Sequence, residues 1–175
     1  MPIGDQAMLK KYKKHVEERA EQNIPPLPLD ADQTSELIEL LKKDHQESDF
    51  LLDLLKERVP AGVDQAAYVK AAFLADITTG KASSPYITKI DAVKILGTML
   101  GGYNIQPLIE CLKDNELAEA AAHVLSRTLL IFDAFNEIFE LSKTNEHAKK
   151  VVEEWANATW SVSYTHLTLP TIAKV

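Results

Sequence analysis

The stretch Pro107 to Leu125, PLIECLKDNELAEAAAHVL, decides the architecture. Pro107 suits the first turn of a helix, where its missing N–H is no loss. Leu108, Ile109 and Leu112 then fall on one helical face. Lys113-Asp114-Asn115 turns the chain, and Leu117, Ala121, Ala122, Val124 and Leu125 line a returning helix whose alanines allow close approach. A looser copy runs from Phe50 to Ile77. There Leu54-Leu55 face inward, Val59 to Asp64 forms the turn, and Ala71-Ala72 repeat the small-residue wall, offset from Ala121-Ala122 by 50 residues. Helical pairs repeated at an irregular period predict an all-α chain of about seven to nine helices in antiparallel pairs.

Each pair resembles a HEAT-type unit, and the flanking sequence extends the pattern. Met8 to Gln22 reads as a helix with Met8, Tyr12, Val16 and Ala20 on one side, stopped at Asn23. Pro25, Pro26 and Pro28 make Ile24 to Leu29 an extended strap, better suited to packing on its own helices than to docking a proline-reading partner. Asp30 or Asp32 starts Gln33 to Lys43, and Ser48 or Asp49 starts the next helix, ending before Pro60 and Gly62. Asp64 caps Gln65 to Thr78, with Tyr68, Ala71, Ala72 and Leu74 expected inward. Thr88 and Asp91 form a capping box for Lys89 to Leu100. Gly101-Gly102 marks a sharp turn rather than a phosphate loop, with Asn104 expected to cap the following helix. From Arg127 to Leu141 a mostly buried helix is expected, kinked near Phe132-Asp133. A last helix, Asn145 to Ala158, carries Ala148, Val151, Val152 and Trp155, and Trp155 and Trp160 are expected to seal the final layer.

Composition removes several function classes. The 175 residues carry 19 Lys+Arg against 26 Asp+Glu, a formal charge of −7, and one Cys. A single thiol excludes an internal disulfide, a four-cysteine zinc module and a chain-borne iron-sulfur cluster. The negative balance disfavours a dedicated nucleic-acid surface. No run approaches a membrane span, and the basic stretch Lys10 to Lys14 has no apolar core like that of a signal peptide, so a cytoplasmic location is expected.

Candidate chemistry is sparse. His15, His45, His123, His147 and His166 lack the i, i+4 partner of a helical metal site. Cys111, His123 and Arg127 could line one helical pair, but an Ala- and Leu-rich wall favours a buried packing thiol over a reactive one. The Lys10 to Lys14 cluster, followed by Glu17 and Glu18, reads as a solvated, locally paired face rather than an anion site. No catalytic, cofactor-binding or metal-ligating residue is assigned. The residues alone describe a binding or scaffolding domain.

Longer stretches carry a family resemblance. MLKKYKKHVEERA (Met8 to Ala20), FLLDLLKERVPAGVDQAAYVKAAFL (Phe50 to Leu74), ILGTMLGGYNIQPL (Ile95 to Leu108), LSRTLLIF (Leu125 to Phe132) and the Trp155 to Trp160 end resemble the N-terminal region of the aconitase B family. The resemblance implies a HEAT-like helical domain followed by swivel and catalytic domains that carry a 4Fe-4S cluster. The complete enzymes interconvert citrate and isocitrate through cis-aconitate and hydrate 2-methyl-cis-aconitate. It implies partners in the catalytic and swivel domains of the same polypeptide and in homodimer contacts, and it associates the apo form with mRNA. The family's cluster cysteines and substrate-binding Ser and Arg residues lie beyond this region, so none maps onto a position here. The alternative is a free-standing helical-repeat adaptor that binds other proteins.

The expected organisation is a leader at residues 1–7, a HEAT-like domain at residues 8–160, and a tail at residues 161–175. Within that tail, VSYTHLTLPT (Val162 to Thr171) departs from the family and resembles a translated sequencing adapter. The tail is therefore expected to be non-native and disordered.

Overall fold

Several helices of this chain start on local side-chain caps, and several end against side-chain donors from distant residues. A computed structural model describes residues 5–128 and 134–158. Among them all regular structure is helical, with no strand: α1 (Asp5–Glu21), α2 (Ala31–Leu41), α3 (Ser48–Asp53) running into a π-helical turn (Leu54–Arg58), α4 (Gln65–Thr79), α5 (Lys89–Leu96), α6 (Ile105–Cys111), α7 (Ala118–Leu125), α8 (Phe135–Ser142) and α9 (Glu146–Asn157). The described residues form two compact units that divide between Asn104 and Ile105. The expected leader, the kink at Phe132-Asp133, Trp160 and the tail at 161–175 lie outside the described residues, apart from residues 5–7 of the leader.

In the first unit, α1 ends at Glu21, and Asn23, two residues on, adopts a left-handed φ of 55°. The proline strap follows and is held along α1. The Tyr12 hydroxyl donates to the Leu27 carbonyl at 2.9 Å, and the Arg19 Nε donates to the Pro25 carbonyl at 2.9 Å. Leu27 N–H donates to the His15 Nε2 at 3.0 Å, and Leu29, fully buried, donates its N–H to the Arg58 carbonyl at 2.9 Å. The strap is thus packed on its own helices, as the prolines imply. Met8, Leu9 and Tyr12 carry the buried side of α1, whereas Ala20, expected inward, is exposed.

Asp30 caps α2 in a capping box with Gln33, Asp64 caps α4 through Ala67 N–H, and Thr88 with Asp91 forms the box at α5. Such caps are each worth about 1 kcal/mol. Gly80, at φ 77°, closes α4 in the left-handed conformation that favours glycine. α5 stops at Leu96, four residues short of the expected Leu100. Asn104 supplies the reason. Rather than capping α6, its buried Nδ2 donates to the carbonyls of Leu96 at 2.8 Å and Met99 at 3.1 Å, which fixes the chain in a turn there. Two loops then meet. Leu100 N–H donates to the Ala61 carbonyl at 2.8 Å, and a Cβ on Gly101 would stand 1.9 Å from the Gly62 carbonyl oxygen.

The inward face of α4 differs from expectation. Ala66, Ala67, Lys70, Ala71, Phe73, Leu74, Ile77 and Thr78 are buried, while Tyr68 and Ala72 point out. A lysine occupies an inward position, and assigning it to solvent rotates the apparent stripe. Lys70 is 1% exposed, and its Nζ donates to the Lys56 carbonyl, within the π-helical turn, at 3.5 Å. Burial lowers its pKa from 10.5 to about 8, with Glu57 acting in the opposite sense.

The second unit is built on the pair read first in the sequence. Leu108, Ile109 and Leu112 of the α6 segment are buried, as are Leu117, Ala121, Ala122 and Leu125 around α7. α9 packs on both α7 and α8. The Asn145 side chain serves two helices: its Oδ1 accepts from Ala148 N–H at the start of α9, and its Nδ2 donates to the Leu112 carbonyl at 2.8 Å. The Trp155 indole N–H donates to the Leu125 carbonyl at 3.0 Å. Of the mostly buried helix expected from Arg127 to Leu141, residues 129–133 lie outside the described residues, and α8 covers its later part. Of the residues of α8 only Ile138 is buried, while Phe135 and Phe139 are exposed.

Three outcomes follow. Leu112→Ala should lower unfolding free energy by about 2–5 kcal/mol through the cavity it leaves, read by denaturant titration. Gly101→Ala should cost about 1–3 kcal/mol, because backbone rather than a flexible side chain must yield, read in the same way. For Lys70, between pH 8 and 10.5 the unfolded chain holds a proton that the folded chain has released, so stability rises with pH in that window. Relative to Lys70→Met, the wild type should therefore gain about 2–3 kcal/mol as pH rises from about 7 to about 10. Parallel pH profiles for the two proteins would refute the assignment.

Candidate functional site

One recess lies in the first unit, a groove of about 1470 Å³ between α1, the end of α2 and residues 44–47. Lys10, Lys11, Lys13, Lys14 and Lys43 line it, against Glu17, Asp44 and Glu47. The charges are locally balanced in part. Lys13 ion-pairs with Glu47 while lying over the Phe50 ring, 5.1 Å from its centroid, and Lys14 pairs with Glu18 at 3.4 Å. The hydrogen bond from Lys13 holds the Glu47 carboxyl below its usual pKa. This agrees with a solvated, locally paired basic face. The groove wall is fixed by Tyr86, whose hydroxyl lies 2.8 Å from the Asp44 Oδ1 and 3.1 Å from the His45 carbonyl, donating to one at a time.

A smaller recess of about 600 Å³ is lined by Lys56, Glu57, Asp91 and Lys94 with Tyr86 and Thr98. The Thr88 hydroxyl holds the Asp91 carboxyl below its usual range, so this carboxylate is committed to capping α5. Neither recess gathers a nucleophile, a base and an oxyanion donor within reach of one another, the geometry that acyl or phosphoryl chemistry requires.

The other sequence candidates are placed as follows. Cys111 is buried in α6, whereas His123 and Arg127 are exposed, so thiol and imidazole do not share one environment. His15 accepts from the strap, and the His45 Nδ1 accepts from Glu47 N–H at 3.1 Å, giving both rings structural partners. Among the described residues no group of three or more His, Cys, Asp and Glu side chains is placed to hold a metal ion. No described helix is long and apolar enough to cross a membrane.

Sequence reading missed two exposed apolar surfaces. In the first unit Val63 and Leu100 are each 74% exposed, beside an edge-on Tyr68–Tyr103 pair with centroids 5.5 Å apart. The Tyr103 hydroxyl anchors this surface by donating to the Val63 carbonyl at 2.9 Å. In the second unit Phe139, Phe135 and Trp155 stack in a row. The i, i+4 spacing of the two phenylalanines was a visible signal, but it reads equally as a core stripe.

Comparison with known proteins now bears on this arrangement. The family described as Aconitate B N-terminal domain matches residues 11–161. The aconitate hydratase B of Escherichia coli strain K12 is 56% identical over 155 residues, covering 87% of this chain and 18% of that protein. The protein of the same name from Synechocystis sp. strain PCC 6803 is 53% identical over 159 residues, covering 89% and 18% respectively. That of Helicobacter pylori strain J99 is 47% identical over 154 residues, covering 87% and 18%. The chain therefore spans less than a fifth of the length of these curated relatives. With the match running through nearly all of α1 to α9, the chain belongs to the aconitase B family, by way of its N-terminal domain.

Proposed function

We propose that this chain is the non-catalytic, HEAT-like N-terminal helical domain of a cytoplasmic aconitate hydratase B. In this reading the parent enzyme converts citrate to isocitrate through cis-aconitate and also acts on 2-methylisocitrate. The domain packs on the swivel and catalytic parts of the same polypeptide, shapes substrate access and supplies dimer or other protein contacts. The observation that carries the reading is the 56% identity over 155 residues, confined to 18% of the relative. The donor chemistry agrees. A 4Fe-4S cluster takes several thiolates, and this sequence holds one Cys, so its residues do not fit the cluster and no step of the hydration is derived from them. Paired helices with apolar surfaces left at their edges are what a docking domain needs.

The test is direct. The purified chain, incubated with iron, sulfide and reductant, should form no cis-aconitate from citrate. Joined in frame to the portion of the Escherichia coli relative that follows the matched region, it should yield a polypeptide with citrate-dependent turnover. Turnover by the chain alone would refute the non-catalytic assignment. A joined polypeptide that assembles its cluster yet remains inactive would refute the domain role.

A further inference from the structure

Phe139 and Phe135 stand one turn apart on α8 with ring centroids 6.1 Å apart and planes inclined by 11°, and Phe135 stacks on Trp155 of α9 at 5.9 Å and 29°. The row runs from protein interior to solvent. Trp155 is 5% exposed, Phe135 43% and Phe139 44%. Its polar edge is formed by Lys143, whose Nζ lies 5.6 Å from the Phe139 centroid and pairs with Glu140 at 2.6 Å. An apolar center with a charged rim has the anatomy of an interface. Stacking also fixes the rings before anything binds, which lowers the ordering cost of docking.

Resting on the domain reading above, we infer that this aromatic row is where the polypeptide following the N-terminal domain in the full-length family docks back on α8 and α9. The occupant is an apolar segment of the same polypeptide, and its position follows from where the domain ends. Trp155 lies in the last turn of α9, which closes at Asn157, and the family match reaches residue 161. That family is an N-terminal domain, and the matched part is 18% of its relatives, so in them the polypeptide continues from a domain whose match ends six residues after Trp155. Successive elements of a chain usually pack side by side, so the exit places this row first in reach. The Val63 and Leu100 surface belongs to the other unit, and its Leu100 precedes the end of the match by about 60 residues of sequence.

Hydroxyl-radical footprinting of the isolated chain and of the joined full-length polypeptide separates the outcomes. Oxidation of Phe135 and Phe139 should fall about ninefold in the full-length protein, the ratio of their present exposure to that of Trp155. Unchanged Phe135 and Phe139 with protection of Tyr68 and Tyr103 would overturn this inference and leave the domain reading standing. Protection nowhere in residues 5–158 would overturn both. Protection already present in the isolated chain and lost on dilution would assign the row to a second copy and overturn the inference.

Discussion

The carbonyl groups that end each helix are the constraint on which this structure depends. Most of its helices are only two to four turns long, so unsatisfied termini are a large share of the backbone. The recurring solution is a side-chain donor from a later part of the chain. Ser84 donates to Leu41 at the end of α2, Lys70 to Lys56 in the π-helical turn, and Asn104 to Leu96 at the end of α5. Asn145 does the same for Leu112 beyond α6, and Trp155 for Leu125 at the end of α7. Each bond satisfies a terminal acceptor and also fixes where a later segment lies. End-capping and tertiary packing are here one interaction.

That coupling explains what could be read from sequence. The helix starts were legible because an N-cap acts within three residues: Asp30, Asp64, Thr88 and Asn145 all bond the backbone three positions on. The closures act over 8 to 43 residues and leave no local trace. Asn104 was therefore assigned to the helix after it, when it serves the one before. Lys70 was not among the inward residues read for α4, because charge argues for solvent, yet burial against a backbone acceptor is tolerated by an amine whose pKa has fallen to about 8. Phe135 and Phe139 erred in the other direction. Hydrophobic spacing says that a face wants covering, and it does not say whether the cover lies within the same stretch of chain.

Of the candidate site residues, the sequence showed the residue types but not their partners. Lys13, read as part of a solvated, locally paired cluster, pairs with Glu47, 34 residues away. Cys111 sits in a packed wall, the imidazoles of His15 and His45 hold backbone donors, and Asp91 caps a helix. The two apolar surfaces gain significance against this background, since Tyr68, Tyr103, Phe135 and Phe139 remain exposed while their rings pair within their own units.

The proline strap has a further consequence. Residues 24–29 run extended, with Ile24 37% and Leu27 53% exposed, a profile that in most proteins invites a second strand to pair. Prolines at 25, 26 and 28 leave only three amide hydrogens in this segment. All three are spent: Ile24 on the Arg19 carbonyl, Leu27 on His15 and Leu29 on the Arg58 carbonyl. The strap offers no donor to an incoming chain, so an exposed apolar edge is made inert toward intermolecular β-pairing. Exchanging any of these prolines for a residue with an amide hydrogen would reopen it.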